Sequence, residues 1–130
     1  MTISRTPRAV TLALVADVIL VIVFAAVGRR SHGEANALAG LATTAWPFLL
    51  GLLVGWIAVI ALYRDKFDPL LVLPTGVIVW LSTLVVGMLA RVVSGQGTAL
   101  SFVLVAGTVL AVFLIGWRAI AGVVRRRATA

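Results

Sequence analysis

Hydrophobic residues along this chain do not alternate with polar ones at a strand or surface-helix period. They come in four long runs separated by short polar connections, approximately residues 9–27, 44–62, 69–90 and 98–117. A hydrocarbon core of ~30 Å needs about 20 helical residues to cross it, so each run is long enough to span. Without water in that core every backbone N–H and C=O must be satisfied within the segment, and four such runs are too few to close a barrel. The pattern therefore predicts an all-α, polytopic four-helix transmembrane bundle as a single domain over residues 1–130, with a basic tail at 118–130. The first run has 19 residues. A secretory leader has an apolar region of about 7–15, and three more runs follow, so the first is expected to stay as a span.

The connections differ. Gly28 to Pro47, "GRRSHGEANALAGLATTAWP", is too polar for a plain turn and carries an Ala/Leu stretch, which predicts a short helix near the interface. "YRDKFDP" (Tyr63 to Pro69) predicts a tight, solvated hairpin, with Pro69 suited to the first turn of the third helix. Shifting the chain on itself by 62 residues sets Arg29 on Arg91, Gly33 on Gly95, Glu34 on Gln96 and Leu38 on Leu100, and brings Gly55-Trp56 within one residue of Gly116-Trp117. A duplicated two-helix hairpin and chance similarity in an Ala/Val/Leu/Gly-rich chain are both compatible with so short a match. A true duplication would relate the halves by a pseudo-twofold axis along the membrane normal.

Composition agrees: 62% of residues are hydrophobic, 12% are charged and the mean hydropathy is +1.18. Cysteine is absent, which removes disulfides, thiolate metal sites and cysteine nucleophiles. The net charge of +7 does not indicate nucleic acid, because the basic residues sit at the ends of apolar runs and form no stripe with aromatics. They report orientation instead. Arg5, Arg8, Arg64, Lys66, Arg118, Arg125, Arg126 and Arg127 fall on one side, and only Arg29, Arg30 and Arg91 on the other. The positive-inside rule then places both termini in the cytoplasm, in an inner (plasma) membrane. Ten arginines to one lysine suggest a GC-rich bacterial or archaeal genome.

One carboxylate, Asp17, lies within the first run. An Asp at a helix centre costs ~3 kcal/mol on the insertion scale, but the surrounding Val, Leu, Ile and Phe residues return roughly 0.3 to 0.6 each, so the segment still inserts. An ionisable group in the membrane is a functional candidate by default, and the alternative is a polar tie between helices. Depth, at ~1.5 Å per residue, puts Trp56, Trp80, Ser82, Thr83 and Thr108 near it as hydrogen-bond donors, and a neutral carboxyl is expected among them. Arg91 stands ~19 Å away along the normal, too far for a direct pair. Asp17, Trp56, Trp80 and Thr108 thus form the expected intramembrane polar site.

A second candidate lies at the opposite rim, where Arg29, His32, Trp46, Arg91 and Thr98 gather near "SGQGT" (Ser94 to Thr98). Read as a glycine-rich lead into the fourth helix, that stretch would favour an anion or a lipid headgroup. Ordinary headgroup contact, with Trp46 as anchor and Thr98 as N-cap, explains the same residues. Gly51 and Gly55 permit close helix approach within the bundle or between copies. Metalloprotease, P-loop, paired-carboxylate and Ser/His/Asp patterns are missing, so no enzyme, cofactor or metal is expected.

"GRRSH" (Gly28 to His32), "TAWPFLLGLLVGW" (Thr44 to Trp56) and "ARVVSGQGTALSFVLVA" (Ala90 to Ala106) together resemble a family of small four-span membrane proteins of actinobacterial type, known only as a domain of unknown function. The likeness covers nearly the whole chain and marks Asp17, Arg29, His32, Trp46, Pro47, Trp56, Arg91 and Thr98, but implies no activity. Small multidrug exporters carry a glutamate in their first span, and small fluoride channels carry Asn and Phe motifs; this chain has neither. The expectation is a non-enzymatic membrane component with an accessory or packing role, with membrane lipids as its partners. The alternative is a small-solute or anion transporter, for which a homodimer is the natural form and Asp17 the proton-handling group.

Overall fold

The computed structural model describes residues 6–28 and 37–129. Every described element is helical, and four helices are long and apolar enough to cross a membrane. The protein is a multi-pass membrane protein. Helix α1 spans Pro7–Gly28. Its start is set by the Thr6 hydroxyl, which accepts the Ala9 N–H at 3.1 Å, and by Pro7 in the first helical position, where a missing N–H costs nothing. Ala13, Asp17, Val21, Phe24 and Ala25 are its buried residues, a single stripe at helical spacing. The remaining face, including Leu12, Val15, Ile19 and Val23, is exposed and apolar, as a lipid-facing surface must be.

Helix α2, Ala37–Tyr63, absorbs the Ala/Leu stretch as its opening turns, so from Ala37 onward no separate interfacial helix forms; residues 29–36 lie outside the described part. Pro47 sits inside α2 without ending it. A short 3-10 turn, Arg64–Lys66, leads into the loop before the third span. That span opens with a wide turn, Val72–Gly76, in which the Gly76 N–H reaches back to the Leu71 carbonyl, and continues as α3, Val77–Val93. The third helix therefore starts after Pro69, not at it. The loop is also more than a solvated turn. Asp68 is buried: its carboxylate accepts the Leu70 N–H and meets Arg125 at 3.5 Å, and its carbonyl accepts the Thr75 hydroxyl.

The fourth span runs from α4, Leu100–Leu110, through a second wide turn, Ala111–Ile115, directly into α5, Gly116–Thr129. What the sequence marks as a tail at 118–130 is thus helical up to Thr129, in line with the span. Helices α2 and α3 pack most intimately. A Cβ on Gly51 would come within 2.8 Å of backbone atoms of Ser82 and Thr83, and one on Gly55 within 3.1 Å of the Val79 Cα. The Gly51-x-x-x-Gly55 face is consumed inside the bundle, and Ser82 fixes it further by donating to the Gly51 carbonyl at 2.9 Å. Phe48 fills the space left by Gly87 and stacks edge-on against Phe24, joining α1 to this pair.

Candidate functional site

Asp17 occupies the middle of the buried stripe of α1 and is fully enclosed. Its partner is Arg118, also fully enclosed, in the first turn of α5. The guanidinium fork meets both carboxylate oxygens, Nη1 to Oδ1 at 2.9 Å and Nη2 to Oδ2 at 2.7 Å. Two indoles complete the shell: Trp56 donates to Oδ2 and Trp117 to Oδ1, each at 2.8 Å. Arg118 also donates from Nε to the Pro69 carbonyl at 2.8 Å and from Nη1 to the Leu114 carbonyl at 2.9 Å. All four spans or their connections therefore meet at one ion pair: α1 through Asp17, α2 through Trp56, the α2–α3 loop through Pro69, and α5 through Trp117 and Arg118.

The expectation of a neutral Asp17 held by hydroxyls and indoles is corrected by this arrangement. A two-point guanidinium–carboxylate contact is an ion pair, and in hydrocarbon each charge makes the other tolerable. Depth counting misplaced Arg118 because it follows Cα positions. Side chains on a helix lean toward its N-terminus, so Arg118 runs back one turn along its own helix, alongside Leu114, toward the middle of the bundle. The wide turn Ala111–Ile115 contributes as well. One extra residue in a turn rotates everything after it by about 100° relative to a regular helix, and Trp117 and Arg118 follow immediately.

Of the expected intramembrane set, only Trp56 joins Asp17. Trp80 donates instead to the Gly107 carbonyl at 2.9 Å, tying α3 to α4. Thr108 is exposed and returns its hydroxyl to the Leu104 carbonyl of its own helix. Both are removed from the polar site. The two Gly-Trp pairs set against each other by the repeat alignment, Gly55-Trp56 and Gly116-Trp117, converge on opposite oxygens of the same carboxylate.

At the other end of the bundle the rim is built around Arg91, while Arg29 and His32 lie outside the described residues. "SGQGT" does not lead into α4 as a glycine-rich N-terminus; it closes α3. Gly95 takes a φ of 80°, its N–H reaches the Val92 carbonyl and the Gln96 N–H reaches the Arg91 carbonyl, the pairing of a Schellman cap. Thr98 is exposed and caps nothing, since α4 begins at Leu100 with Ala99 at its N-cap and no side-chain cap bond. The cap turns Gln96 back so that its Oε1 accepts from Arg91 Nη1 at 3.1 Å, while its Nε2 donates to the Thr43 carbonyl at 3.3 Å. That carbonyl is available because Pro47, four residues on, has no N–H to give it. Arg91 also donates from Nε to the Gly97 carbonyl and lies 4.5 Å from the Phe102 ring centre. Trp46 is partly exposed on α2, as an interfacial anchor would be.

A family profile described as a protein of unknown function, DUF3054, matches residues 14–121. The chain belongs to the DUF3054 family. No curated protein and no solved structure matches it. The DUF3054 region contains every member of the Asp17 shell and of the Arg91 rim, and ends before Arg125. Within that region Arg118, Trp117 and Gln96 are the residues sequence reasoning passed over. For Arg118 a signal existed: in the basic tail it alone directly abuts the apolar run, separated by six uncharged residues from the cluster Arg125 to Arg127.

Proposed function

We propose that this DUF3054 protein is a non-enzymatic component of the inner (plasma) membrane, with both termini cytoplasmic, whose polar centre is a structural clamp and which serves an accessory or packing role. One observation carries the reading. A carboxylate offers about four lone-pair sites, and all four on Asp17 are used, by Arg118 twice and by Trp56 and Trp117. Nothing remains on it to receive a transported ion without dismantling the shell. The excess of Lys and Arg at the termini end supports the orientation. Membrane lipids are the natural partners of the exposed apolar faces. A second copy forming a homodimer would meet a face other than Gly51 and Gly55, which α3 already covers.

A cavity of about 380 Å³ at the termini end, lined by Leu73, Gly122, Arg125 and Arg126 and reaching Arg118, favours a second reading. There Asp17 handles a proton in a small-solute or anion transporter. Proteoliposomes under an imposed proton gradient separate the two. Under the clamp reading the wild type dissipates the gradient no faster than empty vesicles, and Asp17→Asn lowers the yield of folded protein. A wild-type flux that Asp17→Asn abolishes at unchanged folded yield overturns that reading in favour of transport.

A further inference from the structure

The end of the bundle opposite Arg118 holds two adjoining hollows of different character. One, of about 470 Å³, is polar on one side: Arg91, Gln96, Thr43 and Thr44 line it together with Phe24, Phe102 and Gly28. The other, of about 370 Å³, is apolar and runs between α1 and α4 past Val27, Val105, Val109 and Phe113. The hollows share Phe24, Gly28 and Phe102, so they adjoin one another at these residues. From Ser101 to Phe113 the apolar one follows α4 for about 18 Å at ~1.5 Å per residue, close to the ~15 Å depth of one leaflet's hydrocarbon.

The head of this pair of hollows carries a held cation. Nε of Arg91 is bound to Gly97, one hydrogen of Nη1 to Gln96, and the plane rests near Phe102. Its Nη2 makes no hydrogen bond among the described residues. A guanidinium held at Nε and Nη1, with Nη2 unused among the described residues, keeps the Nη2 N–H groups to offer a carboxylate or phosphodiester. Among the described residues, no carboxylate side chain lines the polar hollow to compete for it. The Schellman cap and the carbonyl released by Pro47 set this geometry before any ligand arrives.

We propose that these two hollows are one binding site for a single anionic membrane lipid, its headgroup on Arg91 between α2 and the α3–α4 connection and one acyl chain in the groove between α1 and α4. A free anion would need only the first hollow and an uncharged lipid only the second; their adjacency and the charge of Arg91 select an amphiphile with a negative head. The headgroup end of the site lies at the opposite end of the bundle from Arg118, and none of the residues lining either hollow belongs to the clamp.

Native mass spectrometry of the purified full chain, released from micelles containing equal phosphatidylglycerol and phosphatidylcholine, tests it. The wild type should retain one phosphatidylglycerol over phosphatidylcholine by about ten-fold, the size of one charge-assisted contact. Arg91→Gln should bring the ratio close to unity at unchanged helical content. Val105→Trp, which fills the groove from its lipid-facing side, should lower retention of phosphatidylglycerol while leaving Arg91 in place. Equal retention of the two lipids by the wild type overturns the proposal without reference to any variant. It is equally overturned if Val105→Trp retains phosphatidylglycerol as the wild type does, or if glycerol phosphate without acyl chains displaces the lipid at equal concentration.

Discussion

Arg118 grips Asp17 through both terminal nitrogens although the two residues are 101 positions apart, one in the first span and the other beyond the apolar part of the last. The contact closes the bundle end to end in sequence. Its energetics have two sides. Taking two charges into a low-dielectric interior is costly, and an ion pair there is weak grounds for net stability, yet removing one partner alone leaves an uncompensated charge and costs about 3–5 kcal/mol. The pair specifies which helices meet and at what height, more than it adds to the total.

The two indoles should be separable from the ion pair. Trp56→Phe and Trp117→Phe each keep an aromatic ring but remove one donor to Asp17 together with part of the indole's bulk. Each is expected to lower stability by about 1–2 kcal/mol, at the upper end of hydrogen bonds measured within membranes because the acceptor is charged. Unfolding in mixed micelles reads the difference. Trp80→Phe, whose indole serves a neutral carbonyl, should cost less.

Close approach of α2 and α3 gives a contrast between glycines. Gly51→Ala drives a methyl against the backbone of Ser82 and Thr83, atoms that cannot swing aside, so the helices must part; a loss of about 1–3 kcal/mol is expected. A Cβ on Gly116 meets nothing within 4 Å and its backbone is helical, so Gly116→Ala should be neutral or stabilising by up to about 1 kcal/mol. Thermal unfolding of both variants in the same detergent checks the pair.

How much of this was legible beforehand divides by the kind of information. The four spans follow from run length alone, because hydrocarbon permits no other way to satisfy the backbone. Asp17 was legible as a lone carboxylate, and Trp56 as a donor at its depth. Arg118 was not, since depth counted along Cα positions puts it at the boundary; it takes a long side chain leaning back one turn, and a wide turn that changes its facing, to bring it inside. Gln96 was hidden for a similar reason. Its role comes from the left-handed Gly95 and from a carbonyl freed by Pro47 on another helix, a relationship that no local pattern carries.

The absence of cysteine makes orientation simple to measure, because any introduced thiol stands alone. In intact cells a reagent that does not cross membranes is expected to label Ser94→Cys, at the α3–α4 connection, and to leave Asp65→Cys and Ala128→Cys unlabelled until the membrane is opened. Asp65 and Ala128 should in any case behave alike, since an antiparallel bundle puts the α2–α3 loop and the end of α5 on the same side.

A double-mutant cycle on Asp17 and Arg118 bears most directly on the clamp. With Asp17→Leu, Arg118→Met and the combined variant unfolded reversibly in the same micelles, each single change should cost about 3–5 kcal/mol and the double much less than their sum, a coupling of at least about 2 kcal/mol. Single-variant losses that simply add, with the double variant as damaged as both together, would contradict an ion pair at the centre of this bundle.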